Sequence, residues 1–138
     1  MDVAKQKQLV QDYIEAYNRF DVDGMLRYLH EDVVFRNVSN GEVNLTLTGK
    51  EAFRQQAQQA LQYFSQREQR VTNWQVADNR VEVSLDYTAV AAIDFPNSLK
   101  AGDTLQLQGK SVFQFADGLI ISIDDSSQTH RTPNYLFL

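Results

Sequence analysis

With 138 residues, no cysteine and a formal charge of −5, the chain excludes disulfide staples, thiolate metal sites and the clustered positive charge that binding to a nucleic-acid backbone requires. Its length suits one domain, residues 1–138, able to bury roughly two thirds of its unfolded surface. Met1 to Lys7 lead into a polar segment instead of a signal-peptide core, and no run approaches the ~20 apolar residues of a membrane span. A cytoplasmic protein without membrane or nucleic-acid partners is the expectation.

From Val3 to Phe20, apolar residues at Leu9, Val10, Tyr13, Ile14, Tyr17 and Phe20 recur at helical spacing, which predicts an amphipathic helix with an aromatic stripe. Asp21 can cap a second, short helix, with Asp23 at the positive end of its dipole and Met25, Leu26 and Leu29 on its buried side. Glu31-Asp32 is expected to end it. Val33 to Val38 reads as a strand, Asn40-Gly41 as a hairpin turn and Val43 to Leu47 as the returning strand.

Thr48 followed by Glu51 predicts a capping box before a third helix, whose apolar stripe is Phe53, Ala57, Ala60, Leu61 and Phe64 and whose other face is glutamine-rich. Val71 to Val76 predicts a strand, Asp78-Asn79 a tight turn, and Val81 to Ala89 a long strand alternating apolar and polar. The longest loop runs from Asp94 to Asp103. Thr104 to Phe115, a turn at Asp117-Gly118, and Leu119 to Asp125 complete the strands, leaving a tail over 128–138 that ends in Tyr135-Leu136-Phe137-Leu138. The whole predicts an α+β fold, with the helices on one face of a curved antiparallel sheet.

Asn18-Arg19-Phe20-Asp21-Val22-Asp23-Gly24-Met25, then Leu29-His30-Glu31-Asp32-Val33-Val34-Phe35 and Leu47-Thr48-Gly49-Lys50-Glu51-Ala52-Phe53, resemble the nuclear-transport-factor-2-like superfamily. Within it the likeness is to the SnoaL-like polyketide cyclases and ketosteroid isomerases, over roughly residues 5 to 127. The resemblance implies an NTF2-like (cystatin-like) cone: a curved sheet wraps a long N-terminal helix and two further helices, encloses an apolar pocket, and forms a homodimer through its outer face. It also implies an apolar small-molecule ligand and no cofactor.

In ketosteroid isomerases a carboxylate moves a proton while a tyrosine and a neutral acid hold the oxyanion. Tyr13 matches that tyrosine. The base position, two residues after Phe35, is Asn37, whose amide has no useful basicity. The neutral-acid position falls on Ser111. Steroid isomerisation by that route is therefore not expected.

In the SnoaL-like cyclases the last strand supplies an acid or base, and Gly118-Leu119-Ile120-Ile121-Ser122-Ile123-Asp124-Asp125 is similar to it, with Asp125 at the acid. A residue spacing of two predicts Ile121, Ile123 and Asp125 on one face, so Asp125 would be partly desolvated and its pKa raised. Asp125 and Tyr13 are thus the candidate catalytic residues, with Asn37, Tyr17, Phe35, Ser111, Phe113 and Ile123 as candidate substrate-binding residues. Neither His30 nor His130 has neighbours at metal-ligand spacing, so no metal is expected. Two functions fit: an acid–base isomerase, cyclase or dehydratase acting on an apolar carbonyl compound, or a non-catalytic dimeric module for ligand binding or protein association.

Overall fold

The structure, a computed structural model, describes residues 1–96 and 99–127. Among the described residues, three helices precede or interrupt six strands: α1 (Val3–Asn18), α2 (Val22–Leu26), β1 (Leu29–Ser39), β2 (Glu42–Thr48), α3 (Lys50–Ala60), β3 (Phe64–Ala77), β4 (Arg80–Ala91), β5 (Thr104–Ala116) and β6 (Leu119–Ser127). One sheet carries all six strands in the order β2-β1-β6-β5-β4-β3. Every neighbouring pair is antiparallel except β1–β6, which is parallel. The expected antiparallel sheet is therefore mixed. The first and last of the described strands are neighbours in the sheet, a pairing that the spacing of apolar residues cannot reveal because it is set by the connection and not by either strand.

The helices form where their apolar stripes predict, with local exceptions: α2 ends at Leu26, and Glu31-Asp32, expected to end it, lie within β1. Asp2 caps α1 by accepting from the Lys5 N–H, and Asp21 caps α2 by accepting from the Gly24 N–H at 2.9 Å. The expected capping box at Thr48 does not form. Thr48 ends β2, and the cap of α3 is Gly49, whose φ of +92° places it in a region that other residues rarely adopt. Leu61 and Phe64 also leave the expected helical stripe: α3 stops at Ala60, Leu61 is exposed, and Phe64 opens β3. Leu29 likewise belongs to β1, where it pairs with Ile120. β3 starts well before the expected Val71, since the polar run Ser65 to Arg70 carries no apolar alternation that would announce a strand.

All three expected turns close as drawn, with positive φ at Asn40-Gly41, Asn79 and Asp117-Gly118. Bulges in the β1–β2, β3–β4 and β5–β6 ladders add the local bending that lets a sheet curl around helices. Val81, Val83, Leu85, Tyr87, Ala89 and Ala91 of β4 point inward and are buried. They meet Val10, Tyr13, Ile14 and Tyr17 of α1 and Phe53, Ala57 and Ala60 of α3 in one core. His130 and the apolar end of the tail lie outside the described residues.

Candidate functional site

The inner face of the sheet carries a polar row within an apolar core. Asn37 of β1 pairs with Asp125 of β6, and Asp125 pairs with Ser111 of β5. The three side chains therefore stand side by side across the central strands, all at most 2% exposed. The next row is apolar: Phe35, Ile123 and Phe113 are register partners and are equally buried. The expected inward position of Ile121 is a correction. A bulge between Gln114 and Phe115 turns Ile120 inward and leaves Ile121 half-buried.

Ser111 Oγ donates to Asp125 Oδ1 at 2.5 Å, and Asn37 Nδ2 donates to Asn44 Oδ1 at 2.9 Å. Burial pushes the Asp125 carboxyl from its ordinary 3.8 up to about 8, with the Ser111 hydrogen bond working against the rise and the neighbouring Asp124 adding to it. An apolar setting disfavours the charged form, so at neutral pH this acid is mostly protonated. It can both give and accept a proton near pH 7.

Tyr13 reaches the same region from α1. Its ring meets Phe113 edge-on at 5.8 Å and Phe53 at 6.5 Å, and its buried hydroxyl has no hydrogen-bond partner among the described residues. Burial holds the phenol well above its ordinary range, followed by the Asp125 charge, so it remains a neutral donor. Tyr17, one turn further along α1, does not join that row. Its hydroxyl pairs with Tyr87 at 2.8 Å, and burial pushes it up to about 12.

Beside this phenol pair lies Arg67 of β3, which is 5% exposed. Its guanidinium sits 3.8 Å from the Tyr17 ring centre and 4.4 Å from that of Phe20, while Nε donates to the Tyr17 carbonyl. Sequence reasoning missed Arg67 and Tyr87. The only signal for Arg67 was its place in a polar run with Gln66, Glu68 and Gln69, a pattern that also fits an exposed strand.

The interior around Asp125 is lined by rings in mutual contact, including Phe35 against Phe53 at 5.8 Å. A concavity of about 860 Å³ opens instead on the outer face, over Ser84, Asp86, Gln106, Gln108, Lys110 and Ser126. Arg36 faces outward as expected, paired with Asp124 at 3.3 Å, and Asp86 pairs with Arg70 at 3.0 Å.

This architecture is that of NTF2-like proteins. A match to the SnoaL-like domain over residues 10–123 covers most of the chain, which belongs to that family. Among solved structures it is similar to a protein proposed to be a polyketide cyclase from Xanthomonas campestris, at 28% identity and a TM-score of 0.76 over 90% of each chain. It also resembles an NTF2-like protein of unknown function from Burkholderia pseudomallei, with 19% identity and a TM-score of 0.72 over 91% of this chain and 90% of that one. A third is an LEH-like epoxide hydrolase of M. tuberculosis, with 15% identity and a TM-score of 0.73 over 91% and 84%. No curated protein sequence matches the chain.

Proposed function

We propose that the protein is an acid–base catalyst that binds an apolar, carbonyl-bearing small molecule on the inner face of its sheet, with Asp125 moving a proton and Tyr13 holding the reacting oxygen. The observation that carries this reading is the buried Asp125 carboxyl, pushed by burial up to about 8, in the same core as the buried Tyr13 hydroxyl, which has no partner among the described residues. A desolvated carboxyl and a partnerless buried hydroxyl each cost a fold stability, whereas proton transfer next to a carbonyl can use both. Asn37 and Ser111 stand on either side of Asp125, the first to steady a substrate oxygen and the second to fix the acid. Phe35, Phe113 and Ile123 supply the apolar wall, while Tyr17, paired with Tyr87, stands outside that row.

Isomerisation, aldol-type cyclisation and dehydration all need a proton moved next to a carbonyl and an oxyanion held, so this set of groups serves any of them without a cofactor. Likeness to a proposed polyketide cyclase agrees with that range. The test is turnover of a carbonyl ligand recovered with the protein by native mass spectrometry. Asp125→Asn should lower it by about 10²–10⁴-fold while leaving the fold unchanged by circular dichroism; turnover retained in that variant would discard the reading.

A second reading has its own observation. Tyr13, Phe35, Phe53 and Phe113 are packed against one another on the inner face, as in a pocket filled by its own side chains. On that reading the chain is a non-catalytic dimeric module that binds through its outer sheet face. Sedimentation of wild type against Lys110→Glu, on that face, distinguishes a dimer by this route from a monomer.

A further inference from the structure

The polar surface of the inner face continues past Asp125. One alternation further along the parallel β1–β6 ladder, Ser39 pairs with Ser127, and a spacing of two residues returns both side chains to the face of Asn37 and Asp125. Ser127 is 3% exposed. Both hydroxyl oxygens are shut off from solvent and neither has a hydrogen-bond partner among the described residues. A buried hydroxyl without a partner costs stability, and alanine would fill either position without that cost. Two such hydroxyls on register partners, one alternation from a buried acid, are therefore poorly explained by the needs of the fold.

We infer that Ser39 and Ser127 form a second polar subsite, about 7 Å along the strands from Asn37 and Asp125, that receives a second oxygen of the ligand. The inference rests on the reading of the inner face as a ligand site and adds the class of molecule that fits it. That molecule is apolar, with one oxygen at Asp125 and Tyr13 and another about two residues' rise away. Serine hydroxyls donate and accept, so the second oxygen can be a hydroxyl or a carbonyl. They offer no countercharge, so a neutral group suits them better than a carboxylate.

The apolar row of Phe35, Ile123 and Phe113 lies on the other side of Asp125. The site is thus graded along the strands: an apolar end, a proton-transfer row, and a hydroxyl row. A ligand with a single oxygen can use only the first two. A ligand with two spaced oxygens uses all three and is held in one direction.

The probes are 2-naphthol and 2,6-dihydroxynaphthalene, titrated calorimetrically into wild type, the Ser39→Ala/Ser127→Ala double variant and Asp125→Asn. Wild type should bind the diol about ten-fold more tightly than the mono-ol, as one added hydrogen bond provides. The double variant should bind the two alike, and without ligand its Tm should equal or exceed that of wild type. A wild-type preference within about two-fold, including binding of neither probe, overturns the inference. So does a preference that survives the double substitution, or a fall in the ligand-free Tm, which would assign the hydroxyls to the fold. Asp125→Asn separates the two claims: the diol preference retained there, with turnover intact, leaves the subsite standing and removes the catalytic role.

Discussion

Asp124 and Asp125 are neighbours of the same type with opposite surroundings. Asp124 turns to the outer face, 39% exposed, and meets Arg36 at 3.3 Å. Asp125 turns inward, 2% exposed, and takes a hydrogen bond from Ser111. The same strands show the contrast along their length. Lys110, Gln108 and Gln106 line the open outer concavity of β5, while Ser111, Phe113 and Phe115 are buried behind them. A strand alternates its side chains between faces, so one residue of offset decides whether a carboxylate is a solvated surface charge or a protonatable acid. Residue type alone carries little functional meaning here; the face on which it lies carries most of it.

The widest separation between the faces should come from packing. Phe53 is fully buried and touches both Tyr13 and Phe35, so Phe53→Ala should cost about 3–5 kcal/mol in urea unfolding. Gln106→Ala on the outer face should stay within ~0.5 kcal/mol. A comparable loss from both would dissolve the distinction. If the rings close the ligand site, the Phe53 variant should also bind 2-naphthol more tightly than wild type, because the removed ring leaves space beside Tyr13.

Titration sharpens the contrast next. The Asp125 carboxyl ionises near 3.8 when exposed and at about 8 in the fold. Between those values the folded chain keeps a proton that the unfolded chain has released. Its contribution is thus fully present below about pH 4 and is lost as pH rises through about 8, at roughly 1.4 kcal/mol per pH unit. Asp125→Asn removes the titration, so its stability relative to wild type should climb across that window and level off beyond it. Urea midpoints at about pH 5 and about pH 8 measure the climb, and a constant difference would mean that the carboxyl is not buried. Ser111→Ala should move the same titration upward, since its hydrogen bond opposes the rise, at a stability cost of ~1 kcal/mol. A downward move would show that Ser111 does not support the charged form.

Much of this arrangement could be read from the chain. The aromatic stripe of α1, the cap at Asp21 and the turns at Asn40-Gly41 and Asp117-Gly118 are local signals, and each formed as the local chemistry dictates. Alternation placed Asp125 and Ile123 inward and Arg36 outward. What escaped depends on partners distant in sequence. Gly49 displaced Thr48 as the cap because β2 runs on to Thr48. Arg67 is buried because the rings of Tyr17 and Phe20 enclose it, and nothing within β3 announces that. The Ser39–Ser127 pair exists only because β1 and β6 align in parallel. A short bulge in β6 was enough to exchange Ile121 for Ile120.

The smallest expected effect closes the comparison from the other side. Asp124→Asn removes one partner of a half-exposed ion pair with Arg36, and such pairs contribute ~0–1 kcal/mol because water screens both charges and the long arginine side chain loses freedom in making the contact. The substitution has a second route to the inner face, however, since the Asp124 charge helps hold the Asp125 carboxyl up. Removing that charge should let the Asp125 titration move down while stability barely changes, a shift readable by carboxyl-carbon NMR. The two readouts separate the faces. If stability falls by several kcal/mol, the outer carboxylate is not the solvated group its exposure makes it. If the Asp125 titration does not move, the rise there belongs to burial alone, and the two adjacent acids are electrically independent despite sharing a peptide bond.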